Sequence, residues 1–381
     1  MKPTEDPVID SKFMERCLIL AQKAEGRTAP NPMVGAVVVD PDGIIVGEGF
    51  HARAGEPHAE VIALDAAGEK AVGATLYVSL EPCCHTGRTG PCSQRVIKSG
   101  VTRVVAGMED PNPRVAGGGI KELRANSIAV DVGILEQECA WLNRAFMSRI
   151  LRNRPWVCLK MATTLDGRIA DRFGQSRYIS GLPALAHVHN LRNRLDCVLV
   201  GGETARKDDP ELTVRDVEDG RNPDRAVIDT KLTLPLTAKV FTDRRDGSRT
   251  FLFCSPSAAV SKKIEKYSAC VSVTPMKENA INKGELDLDA MLRSLSGAGI
   301  NSVLCEGGAK LATRLIEGKL VDEINWIVAP KILGDLSAVS AVGSDATIKL
   351  GEVLTLERVR ISRLGDDTLI EGVFPGIEWM F

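Results

Sequence analysis

The chain has 381 residues, 44% hydrophobic and 26% charged, with a formal net charge of −2 at pH 7. That length exceeds one ordinary core and predicts two domains of globular composition. The balanced charge carries no electrostatic footprint for nucleic acid, and no apolar run approaches the roughly 18 residues needed to span a bilayer. The first residues, Met1 to Asp6, are polar and partly acidic, unlike a secretory or organellar leader. With 10 scattered cysteines, the reading is a cytoplasmic protein holding reduced thiols rather than disulfides.

Taken in order, residues 12–23 place Phe13, Cys17, Leu18, Leu20 and Ala21 at helical spacing, and Gly26 ends that helix. Asn31-Pro32-Met33-Val34-Gly35 leads into a buried strand, and Asp42-Gly43 turns it into a hairpin. Residues 74–80 are apolar and predict another buried strand. A helix from Cys92 to Ser99 and a strand over 101–106 follow. A loop then leads to a helix over 120–125 and a closing helix that ends near Leu151. Alternating strands and helices predict an α/β layer structure. Asn153-Arg154-Pro155 marks the boundary, since proline stops helices and starts extended chain. The domains are therefore 1–152 and 153–381.

The chemistry of the first half lies in His58-Ala59-Glu60 and in Glu81-Pro82-Cys83-Cys84-His85, which runs through a glycine-rich turn to Cys92. A strand between two helix starts brings one imidazole and two thiols together as a zinc site. Three protein ligands, His58, Cys83 and Cys92, leave a fourth position open, which suits catalysis. Helix N-termini favour thiolate over thiol. Glu60 lies two residues after His58 and so points elsewhere on a helix. It is placed to carry a proton from water to a leaving nitrogen. His-x-Glu with Pro-Cys and a second Cys is the signature of zinc-dependent base deaminases. Here the second cysteine comes later than the usual spacing. A closed structural site with Cys84 or His85 as fourth ligand is the alternative, and it leaves Glu60 without a task. His51 and Asn31 flank the site as candidate substrate contacts.

The second half opens on a strand over 156–161, followed by Thr164-Leu165-Asp166-Gly167-Arg168. A strand over 195–200 ends in Gly201-Gly202-Glu203-Thr204, and Asp208 to Arg215 is a polar loop. The strand 302–306 meets Gly307-Gly308 and a helix over 309–317. Glycines between a strand and a helix start let backbone amides approach an anion, and a plain tight turn is the alternative. Neither Gly-x-Gly-x-x-Gly nor a Walker loop is present. The charged runs 243–246 and 262–266 are expected to be solvated faces.

With these motifs in place, the chain resembles the bifunctional riboflavin-biosynthesis deaminase/reductase family over nearly its whole length. The first half matches through Asn31 to Gly35, Gly55 to Glu60, Leu80 to Cys83, Gly87-Arg88-Thr89 and Asp110 to Pro113. The second matches through Leu165 to Ala170, Asp208 to Pro210, Leu212 to Arg215, Glu306 to Gly308 and Val321 to Glu323. The resemblance implies a cytidine-deaminase-like α/β/α domain followed by a dihydrofolate-reductase-like α/β domain. It implies zinc, one per chain, and NADPH as cofactors. The reactions are deamination of a diaminopyrimidinone carrying a phosphoribosylamino group, then reduction of its ribosyl side chain to ribityl. The partner it implies is that small molecule, with no nucleic acid and no membrane, and the chain is expected to be a homo-oligomer. Asn31, His51, His85 and Arg88 would surround the deaminase substrate. Lys160, Arg192, Leu212, Arg215 and Glu306 would take the phosphorylated sugar. Ala162, Ser176, Tyr178, Thr204, Asp208 and Gly308 would line the NADPH site. Thr164 and Tyr178 stand where the family usually has Ser and Trp. The rival readings are a deaminase with an inactive reductase-like scaffold, and a nucleic-acid-editing deaminase. The second needs a basic groove and aromatic platforms, which 4% aromatic content disfavours.

Overall fold

The computed structural model describes residues 7–85, 90–113, 115–177, 179–279, 284–343 and 349–377. The chain divides into two compact units, one ending at Asn153 and the other spanning Arg154–Ile377.

The first unit runs α1 (Pro7–Gln22), β1 (Gly35–Val39), β2 (Ile45–Phe50), α2 (Ala59–Ala67), β3 (Thr75–Val78), α3 (Cys92–Ser99), β4 (Arg103–Ala106), α4 (Gly118–Ala125), β5 (Ala129–Val132), α5 (Glu136–Leu142) and α6 (Arg144–Arg152). Its sheet has the order β2-β1-β3-β4-β5. β1 is antiparallel to both neighbours, and β3, β4 and β5 are parallel. All five residues of β1 are buried, because helices cover both faces of the sheet. On one face Ala36, Val38, Leu76, Val78 and Val104 pack with Ala63 and Leu64 of α2, Val96 of α3 and Leu123 of α4. On the other, Tyr77 and Arg103 both donate to the buried Asp10 of α1.

Glycines set how closely the helices approach. A Cβ at Gly35 would stand 2.0 Å from the Cys17 carbonyl of α1. One at Gly49 would stand 2.5 Å from the Ala59 carbonyl, in the turn of α2 that also carries Glu60. Gly49→Ala must therefore push α2 off the hairpin. It is expected to cost about 1–3 kcal/mol by overpacking, read as a lower denaturant midpoint, with metal uptake weakened alongside.

The second unit continues with β6 (Trp156–Thr163), β7 (Arg168–Ala170), α7 (Leu182–Arg194), β8 (Cys197–Gly201), α8 (Gly202–Asp208), β9 (Asp224–Ile228), β10 (Thr250–Cys254), α9 (Pro256–Ala259), β11 (Val271–Pro275), α10 (Leu288–Gly297), β12 (Ser302–Cys305), α11 (Ala309–Glu317), β13 (Glu323–Val328), β14 (Val339–Ser340), β15 (Glu357–Leu364) and β16 (Asp367–Val373). Nine of these strands form one sheet in the order β11-β10-β9-β8-β12-β6-β13-β16-β15. It is parallel from β11 to β13 and antiparallel beyond. Its central strands are apolar on both faces, as a covered parallel sheet requires. The carboxyl ends of β6, β8, β9 and β12 open on one side, where open α/β sheets bind their ligands.

The two charged runs are solvated as expected at Asp243, Arg245, Asp246, Lys262, Glu265 and Lys266, and one half-buried cation in each also turns back onto the chain. Lys263 donates to the carbonyls of Leu232 and Leu234, and Arg244 donates to those of Pro223 and Glu211. Each cation caps carbonyls that lie outside the strands. Among the described residues, no helix is long and apolar enough to cross a membrane.

Candidate functional sites

In the first unit three side chains converge from separate elements. His58 is the residue before α2, in extended conformation, Cys83 follows β3 in a loop, and Cys92 is the first residue of α3. Their ligand atoms all lie within 4.8 Å of one another, the one such cluster of His, Cys, Asp and Glu among the described residues. His58 Nδ1 is 3.1 Å from Cys92 Sγ and 3.7 Å from Cys83 Sγ. Tetrahedral zinc with ordinary Zn–N and Zn–S bonds needs about 3.6 Å between such atoms, so the donor set fits that ion. The Cys92 amide, at the start of α3, donates to Cys83 Sγ at 3.4 Å. The hydrogen bond shared with Cys92 pulls the Cys83 thiol down, helped by His58, and pushes Cys92 up. The shared hydrogen bond thus favours charge on one sulfur, and a bound cation would hold both. Cys84 turns away, its sulfur lying against Gly118 of α4.

Glu60 is buried in the first turn of α2. Burial pushes its carboxyl up to about 7, in the range where a group can both take and return a proton. His51 is also buried, its ring edge-on to His58 with centroids 5.1 Å apart. Its Nδ1 lies 3.2 Å from the Pro57 carbonyl and its Nε2 lies 3.0 Å from Asn31 Nδ2. A carbonyl can only accept and an amide nitrogen can only donate, so His51 carries its proton on Nδ1. Burial lowers its pKa and keeps the ring neutral. Asn31 and His51 are therefore brought to the metal cluster as one hydrogen-bonded pair. His85 is exposed beside it, and Arg88 lies outside the described residues.

Two acidic residues near the cluster belong to motifs visible in the sequence, which gave them no individual task. Glu81 is buried and accepts four backbone N–H groups. Asp110 is buried, which pushes its carboxyl up to about 6, and it accepts from the Asn112 amide.

In the second unit a cleft of about 1250 Å³ opens at the carboxyl ends of β6, β8, β9 and β12. That exceeds the roughly 300–1,000 Å³ of a usual small-ligand pocket, leaving room for a dinucleotide beside a second molecule. Of the expected sugar contacts, Lys160, Arg192, Leu212 and Glu306 line it, as do the expected cofactor contacts Ala162, Ser176, Thr204, Asp208 and Gly308. Tyr178 lies outside the described residues. Arg192 grips Glu306 with two bonds of 2.6 and 2.8 Å. Burial opposes the Glu306 charge, but Arg192 and Lys160 outweigh it and hold its carboxyl below the usual range. Burial likewise pushes the Lys160 ammonium down, against the pull of Glu306. Arg215 does not line the cleft. It is exposed, with its guanidinium 3.1 Å from Thr213 Oγ1.

The loop that presents these groups is held from behind by His189, a residue the sequence did not single out. Its Nδ1 lies 3.1 Å from the Thr213 carbonyl and 3.2 Å from the Arg215 amide. Leu212 in that loop is buried at a φ of 55°, the left-handed region a branched side chain rarely adopts. At the glycine turn, a Cβ on Gly202 would stand 2.8 Å from the Ile228 carbonyl. The Gly308 amide donates to Thr204 Oγ1 at 3.0 Å, so that hydroxyl ties the start of α11 to α8.

A His-Cys-Cys cluster on a layered α/β unit, followed by a covered parallel sheet with a nucleotide-sized cleft, defines a zinc-site deaminase domain joined to a reductase domain. Residues 7–108 match the cytidine and deoxycytidylate deaminase zinc-binding region, and residues 155–370 match the RibD C-terminal domain. The riboflavin biosynthesis protein RibD of Aquifex aeolicus is 40% identical over 366 residues, covering 95% of this chain and 98% of the relative. That of Escherichia coli K12 is 41% identical over 337 residues, covering 85% and 89%. Among solved structures, Acinetobacter baumannii RibD superposes with a TM-score of 0.87 at 34% identity, covering 97% of this chain and 100% of that one. A Thermotoga maritima diaminohydroxyphosphoribosylaminopyrimidine deaminase/5-amino-6-(5-phosphoribosylamino)uracil reductase gives 0.82 at 35%, covering 97% and 99%. The chain belongs to the RibD family of riboflavin biosynthesis proteins, enzymes that carry a deaminase and a reductase in one polypeptide.

Proposed function

We propose that residues 1–152 hydrolytically deaminate 2,5-diamino-6-(5-phosphoribosylamino)pyrimidin-4(3H)-one and that residues 153–381 then reduce its ribosyl group to ribityl with NADPH. The observation that carries the reading is the convergence of His58, Cys83 and Cys92 beside a buried carboxyl at Glu60. Those three residues would hold one zinc ion per chain, which when bound makes water nucleophilic near neutral pH. Hydrolysis exchanges a C–N bond for a C–O bond and releases ammonia. Glu60 takes the proton of the attacking water and delivers it to the departing nitrogen. Asn31 and His51, with His85 and Arg88, hold the pyrimidine and its phosphate. The neutral His51 ring contributes shape and hydrogen bonding rather than charge.

In the second unit, the turn formed by Gly201, Gly202, Gly307 and Gly308 would hold NADPH, whose chemistry when bound is hydride donation to the sugar. Ala162, Ser176, Thr204 and Asp208 would line its path, with Tyr178 as a further contact the resemblance implies. Glu306 is held in place by Arg192 and pulls against the burial that lowers the Lys160 ammonium, so a lysine and a carboxylate both face the sugar. Leu212 lines the sugar site, and Arg215, exposed at the end of the same loop, would reach the phosphate from the rim. The same reading makes the protein a cytoplasmic homo-oligomer, and its ten free thiols agree with a reducing compartment.

The two chemistries rest on separate residue sets and are expected to be separable. Each charge-assisted hydrogen bond to the sugar phosphate contributes about 1.5–3 kcal/mol. Arg215→Ala should therefore raise KM for the deaminated substrate about 10-fold or more and leave ammonia release intact. Incubating the purified chain with the diaminopyrimidine, with and without NADPH, tests the whole reading. Failure to release ammonia in the presence of zinc would overturn the deaminase assignment. Release without NADPH oxidation would leave the reductase half as a scaffold.

A further inference from the structure

The carboxylate of Glu81 is spent entirely on backbone. Its Oε2 accepts from the amides of Asp110 at 3.2 Å and Gly117 at 2.9 Å. Its Oε1 accepts from Gly119 at 2.9 Å and Ile120 at 3.1 Å. A carboxylate has about four acceptor directions, so none is left for a metal or a substrate. Its partners among the described residues are the first amides of α4 and the loop ahead of it, not a cation. An isolated carboxylate 3% exposed is costly unless hydrogen-bonded, and the chain has met that cost two residues before a metal-ligating cysteine.

Helix α4 touches both segments that carry the sulfur ligands. A Cβ at Gly119 would stand 1.9 Å from the Pro82 carbonyl, and one at Gly118 would stand 2.7 Å from Cys84 Sγ. The start of α4 thus lies directly on the Pro82–Cys84 turn. One turn later, Glu122 accepts from Ser93 and Gln94, the two residues after Cys92. The Cys83 turn is itself tied to α3 by the Ser93 amide, which donates to the Cys83 carbonyl at 3.1 Å. Helix α4 therefore braces Cys83 from one side and Cys92 from the other, and Glu81 fixes where that brace begins.

We propose that Glu81 is a positioning residue of the metal centre, setting the separation of Cys83 and Cys92 by anchoring the start of α4 to the ligand turn. The inference rests on the metal reading given above. It predicts reciprocal coupling: whatever loosens the brace weakens the metal, and removing the metal loosens the brace.

The test uses the full chain and Glu81→Gln. Glutamine has one acceptor oxygen and one donor nitrogen, so it leaves two of the four amides facing a donor. Zinc affinity, measured by chelator competition, should fall about 10–100-fold, the range typical for partners that orient metal ligands. With cobalt in place of zinc, the thiolate-to-metal absorption should shift, which a general loss of stability would not cause. Unchanged affinity together with an unchanged cobalt spectrum overturns the proposal. A wild-type chain that takes up no zinc overturns the metal reading and this inference with it. Should Glu81→Gln fail to fold, amide exchange on the wild-type chain decides. Chelation should speed exchange at Gly117, Gly119 and Ile120 while the amides of β10 stay protected. Equal protection with and without metal would show α4 to be uncoupled from the centre.

Discussion

Glu60→Gln is expected to retain zinc and fold while ammonia release falls about 10²–10⁴-fold, roughly 3–5 kcal/mol of barrier. The upper end is favoured because one carboxyl serves both proton transfers. Two features of the structure support this. Glu60 is the second residue of α2, two after His58, so it is fixed beside the metal without being a ligand. Burial raises its carboxyl to about 7, whereas an exposed glutamate would be a poor acid at that pH. Glutamine keeps the size and a hydrogen-bonding end but cannot exchange a proton. The measurement is ammonia production at matched zinc content, with NADPH oxidation on the deaminated substrate as the control. Near-normal ammonia release would make Glu60 an ordinary first-turn residue. If Glu60→Gln abolished reduction as well, with the fold intact, the two sites would not be independent.

The second large effect separates two adjacent thiols. Cys83→Ser should lose zinc and with it deamination, whereas Cys84→Ser should keep both. The loss should exceed the roughly 10–100-fold expected of a residue that only orients a ligand, because a thiolate donor is removed outright. Cys83 Sγ faces His58 and receives the Cys92 amide, while Cys84 Sγ rests on Gly118. Metal analysis of the two variants decides the matter. Equal zinc loss from both would mean that Cys84 is a ligand and that the site is a closed structural one.

The metal triad was legible because its spacing is a local code. A short apolar strand between two helix starts leaves the intervening chain few ways to run, and His58, Cys83 and Cys92 carry side chains suited to one ion. The central strands and helices α3 and α11 were legible for a similar reason, since burial on both faces or along one stripe leaves a periodic trace. Strand β15 left none. Every one of its residues has solvent contact, and Glu357, Arg358, Arg360 and Arg363 break any apolar run. It is held by backbone pairing to β16 at the edge of the sheet, and backbone pairing does not depend on side-chain type.

Charge was the least readable property, because its meaning depends on which groups arrive from elsewhere in the chain. Lys263 belonged to a charged run, and only the folded chain brings it to the carbonyls of Leu232 and Leu234, 29 to 31 residues earlier. Glu81 stood inside a recognisable motif, yet its four amide partners lie 29 to 39 residues later. The sequence by itself singled out the side chains proposed to hold the metal, move the proton and face the sugar, because those candidacies follow from chemical identity and short spacing. How His51 is held neutral, how Arg192 is committed to Glu306 and how α4 braces the cysteines were decided by tertiary structure alone. Each of those depends on long-range partners and on burial, which no local pattern encodes.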